Sequence, residues 1–124
     1  MAWEAAATTI LDGETMDDDA YSGTTPSSAV SLNPGEGCQL EFEYDAPASP
    51  TDDCVVGVFV SIDGGTNWSD EPVMEFTVDS ATDPNAKPVF ITGWHTFRVT
   101  GKMSGTTDTT GTLTVKARKD GISV

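Results

Sequence analysis

Basic side chains are scarce in this chain of 124 residues. Six Lys and Arg stand against 20 Asp and Glu, giving a formal net charge of −14, and none of the six bases precedes Lys87. Residues 1–86 hold 18 of the acids, while Asp108 and Asp120 share residues 87–124 with every base. A chain this acidic is repelled by phosphate backbones and anionic lipid, so neither nucleic acid nor a membrane surface is an expected partner. No run of 18 apolar residues occurs, which excludes a membrane-spanning helix. Met1-Ala2-Trp3-Glu4 brings neither the basic nor the apolar region of a secretory signal. Histidine occurs once, at His95, and cysteine twice, at Cys38 and Cys54. No HExxH, CxxC, GxSxG or GxxxxGK[ST] spacing is present, so no zinc, nucleophile or nucleotide site is signalled. Acids are too common for any carboxylate pair to be informative. The expectation is a non-enzymatic protein without cofactor or metal.

Turn residues and short alternating runs dominate what is there. Asn33-Pro34-Gly35, Pro47 to Pro50, Asp63-Gly64-Gly65, Pro84-Asn85, Gly101, Gly111 and Asp120-Gly121 punctuate the chain. Between them the apolar period is two. Cys38, Leu40, Phe42 and Tyr44 alternate with Gln39, Glu41 and Glu43, the pattern of a half-buried strand. Val56, Val58, Val60 and Ile62 share one face of the next run, with Gly57, Phe59 and Ser61 opposite. Met74–Val78, His95–Thr100 and Leu113–Arg118 repeat the alternation, and weaker strands fall at Thr8–Leu11, Ala29–Leu32 and Pro88–Ile91. Seven to eight short strands without an amphipathic helix predict an all-β fold, an antiparallel β-sandwich of immunoglobulin-like or jelly-roll topology. Glu41, Glu43, Lys116 and Arg118 then face solvent, where charge discourages edge-to-edge aggregation. Residues 25–124 form the expected single sandwich domain. Residues 1–24, with Trp3 and Asp17-Asp18-Asp19, fit either a first strand plus an acidic loop or an arm that orders against a neighbouring subunit, with Trp3 as its contact.

The two cysteines each open a strand, and the strands are joined by residues 45–53. In antiparallel strands, or strands crossing between sheets, the sulfurs stand at opposite ends, roughly 20 Å apart at ~3.3 Å per residue. That is too far for a disulfide, so two buried thiols are expected.

Ser61-Ile62-Asp63-Gly64-Gly65-Thr66-Asn67-Trp68 resembles the Asp-box turn of sialidases and other β-propellers, with Ser61, Asp63, Gly65 and Trp68 on the motif positions and Asn67 in place of the usual Thr. One copy cannot make a propeller, which needs several blades. The expected role is to brace a turn, Asp63 accepting backbone N–H groups and the glycines supplying positive φ. Asp63, Asn67, Asp70 and Glu71, or Asp17-Asp18-Asp19, offer oxygen ligands for calcium but lack the EF-hand spacing, and solvated acidic loops are the simpler reading. Asn67-Trp68-Ser69 fits the glycosylation pattern, which carries no meaning without secretion. Trp68 and Trp94 are candidates for an aromatic contact such as a sugar platform, against the commoner role of packing. His95 beside Trp94 has no nucleophile to serve.

Three segments and the tail carry a further likeness. Val58–Trp68, Trp94-His95-Thr96-Phe97-Arg98-Val99, Ser104-Gly105-Thr106-Thr107-Asp108 and Arg118-Lys119-Asp120-Gly121-Ile122-Ser123-Val124 together resemble small virion proteins of tailed bacteriophages, over roughly residues 55–124. Such proteins are similar to capsid decoration, or cement, proteins. The resemblance implies a small β-sandwich on the capsid exterior, assembled in the host cytoplasm. It would bind the major capsid protein and copies of itself, often as a trimer, and need no cofactor. Arg98, Lys116, Arg118 and Lys119 are then the candidate docking interface toward an acidic shell. The competing expectation is a carbohydrate- or receptor-binding module of a phage fibre or surface protein.

Overall fold

The computed structural model describes residues 2–3, 7–33, 36–78, 89–92 and 96–121, with the backbone alone for residues 2–3, 89–92, 120 and 121. Alternation builds its strands. They are β1 (Ala2–Trp3), β2 (Thr8–Thr15), β3 (Val30–Ser31), β4 (Gly37–Asp45), β5 (Cys54–Ser61), β6 (Met74–Val78), β7 (Val89–Thr92), β8 (Thr96–Met103) and β9 (Thr112–Gly121), with a 3-10 turn at Tyr21–Gly23. All the pairings are antiparallel. One sheet runs β1-β9-β4-β7, with β2 beside β9 along the same edge as β1, and the other runs β3-β8-β5-β6.

This order identifies the topology. β2 pairs with β9, β3 with β8, β4 with β7 and β5 with β6, so nested strand pairs alternate between the two sheets. A long antiparallel ribbon rolled into two layers has this wiring, and it is that of an eight-stranded jelly roll. The sandwich expectation holds, and of the two topologies left open the strand order selects the jelly roll. The described residues from 7 to 24 join the sandwich: β2 runs along β9, and Ile10, Leu11 and Met16 are core residues.

Between the sheets lie Leu40, Phe42 and Tyr44 of β4, Val56 and Val58 of β5, Phe97, Val99 and Met103 of β8, and Leu113 and Val115 of β9. The predicted face of β4 is the buried one, with Cys38, Leu40, Phe42 and Tyr44 inward and Glu41 exposed. β5 departs from its pattern at the end. Val56 and Val58 point inward, but Ile62 is 93% exposed, because the strand stops at Ser61 and the chain enters the Asp63 turn. β4 and β5 also lie in different sheets, so the connection from Asp45 to Cys54 crosses the sandwich. Cys38 and Cys54 are buried thiols, as expected, and no disulfide joins them. Burial, with Asp53 close by, pushes the Cys54 thiol up to about 12.

Tyr44 is 1% exposed, and its hydroxyl has no hydrogen-bond partner among the described residues. It lies where a side chain at Gly111 would have to sit, which explains the glycine there. An unsatisfied buried hydroxyl costs about 1–3 kcal/mol. Tyr44→Phe removes the polar atom and keeps the ring, so thermal unfolding should show an unchanged or higher Tm.

Candidate functional site

The outer face of the β3-β8-β5-β6 sheet carries a cleft of about 510 Å³, within the range of small-ligand sites. Its floor comes from facing strand positions. Arg98 of β8 is in register with Phe59 of β5, and Thr100 with Gly57. Neither strand pairs these residues with the core face, since Phe97, Val99 and Val58 take that side.

One wall is the segment between β2 and β3. It follows the edge of β8 beyond the end of β3: Met103 N–H donates to the Asp18 carbonyl (2.9 Å), the Thr24 hydroxyl to the Gly101 carbonyl, and Ser27 N–H to the Val99 carbonyl (2.8 Å). The 3-10 turn in this segment lays Tyr21 down on the sheet. Its ring meets Phe59 edge-on at 5.2 Å and an 82° angle, its hydroxyl donates to Glu75 Oε2 at 2.7 Å, and Lys102 Nζ stands 4.7 Å from its centroid. Burial first, then the Glu75 carboxylate, push the Tyr21 phenol well above its ordinary range. The ring fits only because position 57 has no side chain. A Cβ there would come within 2.9 Å of Tyr21 Cζ and 3.0 Å of Pro72 Cβ.

The opposite wall is the turn after β5, which has the hydrogen bonding expected of an Asp-box. Asp63 Oδ1 accepts the N–H groups of Thr66 (3.1 Å) and Asn67 (2.8 Å) and the Ser61 hydroxyl (2.7 Å), and its Oδ2 accepts Asn67 Nδ2 (2.7 Å). Gly64 and Gly65 supply φ of 75° and 100°. These donors hold the Asp63 carboxyl down at about 2. Since the folded value lies below that of an unfolded aspartate, near 3.9, the stabilisation is complete above that value and vanishes as pH falls through about 2. An NMR titration should show the Thr66 and Asn67 amide resonances moving together with a midpoint near 2. Asp63→Asn should abolish that transition. Both oxygens of Asp63 are used by the turn itself, and among the described residues no three His, Cys, Asp or Glu are grouped to hold a metal ion.

The turn delivers Trp68 to the cleft, where the Arg98 guanidinium carbon lies 4.4 Å from its ring centroid. Trp68 and Arg98, nominated from sequence for separate roles, are thus in contact. Trp94 and His95 lie outside the described residues, and so does the side chain of Trp3, whose backbone in β1 pairs with Asp120.

The four bases of the candidate docking interface do not share one surface. Arg98 faces outward from the second sheet. Lys116 and Arg118 face outward from the first, in register with Glu41 and Gln39 of β4, and Arg118 Nη2 donates to Gln39 Oε1 at 3.2 Å. Lys119 falls on the opposite alternation of β9 and reaches the Ser31 carbonyl at 3.5 Å. Alternation along each strand, combined with the sandwich, therefore puts Arg98 and the Lys116–Arg118 pair on opposite sides of the molecule. The single basic flank expected from sequence is divided among three places: Arg98, the Lys116–Arg118 pair and Lys119.

A second constellation had no sequence signal. Asp108 Oδ2 accepts the N–H groups of Thr51 and Asp52, both at 2.7 Å, while Asp52 Oδ2 accepts those of Thr107 (2.8 Å) and Asp108 (3.0 Å). Each carboxylate thus holds the other's loop, and both residues are buried. Tyr21 and Phe59 of the cleft were likewise not singled out. The available hint was a glycine and an aromatic residue, Gly57 and Phe59, on what should have been a polar strand face. In comparison with known proteins, no family model and no curated sequence matches this chain.

Proposed function

We propose that the chain is a non-enzymatic capsid decoration protein of a tailed bacteriophage, bound to the exterior of the shell built by the major capsid protein and to copies of itself. The observation that carries this reading is the jelly-roll strand order, an architecture used by viral capsid and lectin domains. Segments that bear the resemblance also have defined places in it: the turn after β5, the strand β8 and the loop before β9 that Asp52 fastens. Docking then belongs to the outer face of β4 and β9, where Lys116 and Arg118 alternate with Glu41 and Gln39. A surface of mixed sign sets register and rejects wrong partners more than it adds affinity.

Purified chain mixed with assembled shells of the major capsid protein of the same phage tests the reading, scored by co-sedimentation and electron microscopy. The chain should occupy regular exterior positions, and a Lys116→Glu/Arg118→Glu double variant should lower occupancy. Shells left bare by the unaltered chain would sink the proposal. The second reading, a carbohydrate- or receptor-binding module, is favoured by the cleft between Tyr21 and Trp68, since jelly rolls also serve as lectins.

A further inference from the structure

Among the described residues, no carboxylate forms an ion pair with the Arg98 guanidinium. Its Nε is buried and has no hydrogen-bond partner, and no described residue accepts a hydrogen bond from the rest of the group. Its one contact of note is the face of Trp68. Burial lowers its affinity for the proton, and among the described residues the Trp68 face is the one contact that offsets this. Buried donors left unpaired are rare in native proteins and ask for a reason. A purely structural arginine on this sheet face would be expected to reach a carboxylate or carbonyl, as Arg118 reaches Gln39 on the other face.

The surroundings specify what would complete it. The guanidinium presents a planar fork that matches a carboxylate in two parallel hydrogen bonds. Around it the cleft has ring walls, Tyr21 and Trp68, and hydroxyl and amide groups, among them Ser22, Thr66 and Asn67. Aromatic walls suit the apolar face of a pyranose, and the polar groups suit its hydroxyls. One carboxylate, Asp70, also lines the cleft. It would repel a second acid group while accepting a hydroxyl, which favours a ligand whose charge is confined to one end.

We propose that the cleft between Tyr21 and Trp68 binds a carboxylate-bearing saccharide of the uronic-acid type, with Arg98 holding the carboxylate. This rests on the second reading above, a carbohydrate-binding module, and makes its ligand class specific. It stands apart from the capsid reading, because the site faces away from Lys116 and Arg118. A decoration protein with such a site would display it outward from the shell.

The test uses the complete chain free of capsids, so its failure and the failure of capsid docking are read in different experiments. Two-dimensional NMR titration with tri-galacturonate should give saturable shifts at the Trp68 indole and the amides of Thr66, Asn67 and Arg98. Fully methyl-esterified tri-galacturonate, the same skeleton without charge, should bind the unaltered chain about tenfold more weakly or worse, as expected for losing a charge-assisted pair. Arg98→Gln should erase the difference between acid and ester, while Trp68→Ala should weaken both. Equal binding of acid and ester, shifts outside the cleft, or no saturable shift would overturn the proposal. A tetra-glutamate peptide binding at the cleft in place of the saccharide would overturn it too, and would point to a protein partner.

Discussion

Asp108→Ala should lower the melting temperature by about 10 °C. Asp108 is 8% exposed, and one of its oxygens accepts two backbone N–H groups from the loop that enters β5. Hydrogen bonds to a charged group are worth about 1.5–3 kcal/mol, and their loss also strands the two N–H donors. A total near 2–4 kcal/mol converts to a shift of that size at roughly 4 °C per kcal/mol for a domain of this length. Asp108→Asn should recover about half, because a single amide oxygen can take the position of Oδ2. The reciprocal variant Asp52→Ala removes the bonds to Thr107 and Asp108, and the double variant should cost less than the two singles together, since the first loss already parts the loops. Thermal unfolding of all four proteins checks this; strict additivity would mean that the two carboxylates act independently.

Phe42→Ala should cost more still, about 3–5 kcal/mol, the range for removing a large aromatic from a packed core. Phe42 is wholly buried in the interior strand β4, opposite Val115 of β9, and its ring lies 5.7 Å from that of Phe76, which β6 sends across from the other sheet. The cavity therefore opens where the two layers meet and cannot collapse without shifting a strand. With folded domains stable by about 5–15 kcal/mol, the variant should unfold at a markedly lower urea concentration. A cycle with Phe76→Ala should return a coupling of about 0.5–1.5 kcal/mol for the ring pair. A loss under 1 kcal/mol would contradict this account of the core.

How much could be read beforehand depended on whether one face of a strand met water. β4 was legible because Glu41 and Glu43 sharpen the alternation against Leu40, Phe42 and Tyr44, and β6 falls on the predicted residues. The extent of β2 was hidden by register shifts between Thr9 and Glu14, which break the period of two. Ile62 misled because alternation continues past the point where the strand gives way to the Asp63 turn. The turn itself was legible, being local: its donors and acceptors lie within four residues of each other. The cleft and the paired aspartates were not, because each joins distant stretches of chain. Tyr21 meets Glu75 across 54 residues, and Thr51 meets Asp108 across 57. The segregation of acids and bases along the chain was real in sequence but did not become one surface, since neighbouring bases on β8 and β9 entered different sheets.

The nested pairing also governs when this protein can fold. β9 is an interior strand of its sheet, flanked by β4 on one side and by β1 and β2 on the other. Until the ribosome has released it, β2 has no strand to pair with and β4 has only β7. The second sheet likewise waits for β8, which joins β3 to β5. Such a chain closes large loops before any contact rewards them, so folding is slow and waits for β9. In the interval the valines of β5, Val55, Val56, Val58 and Val60, are an uncovered β-forming stretch. The acids crowded into residues 1–86 then act before the fold exists: their mutual repulsion keeps nascent copies apart until β9 arrives.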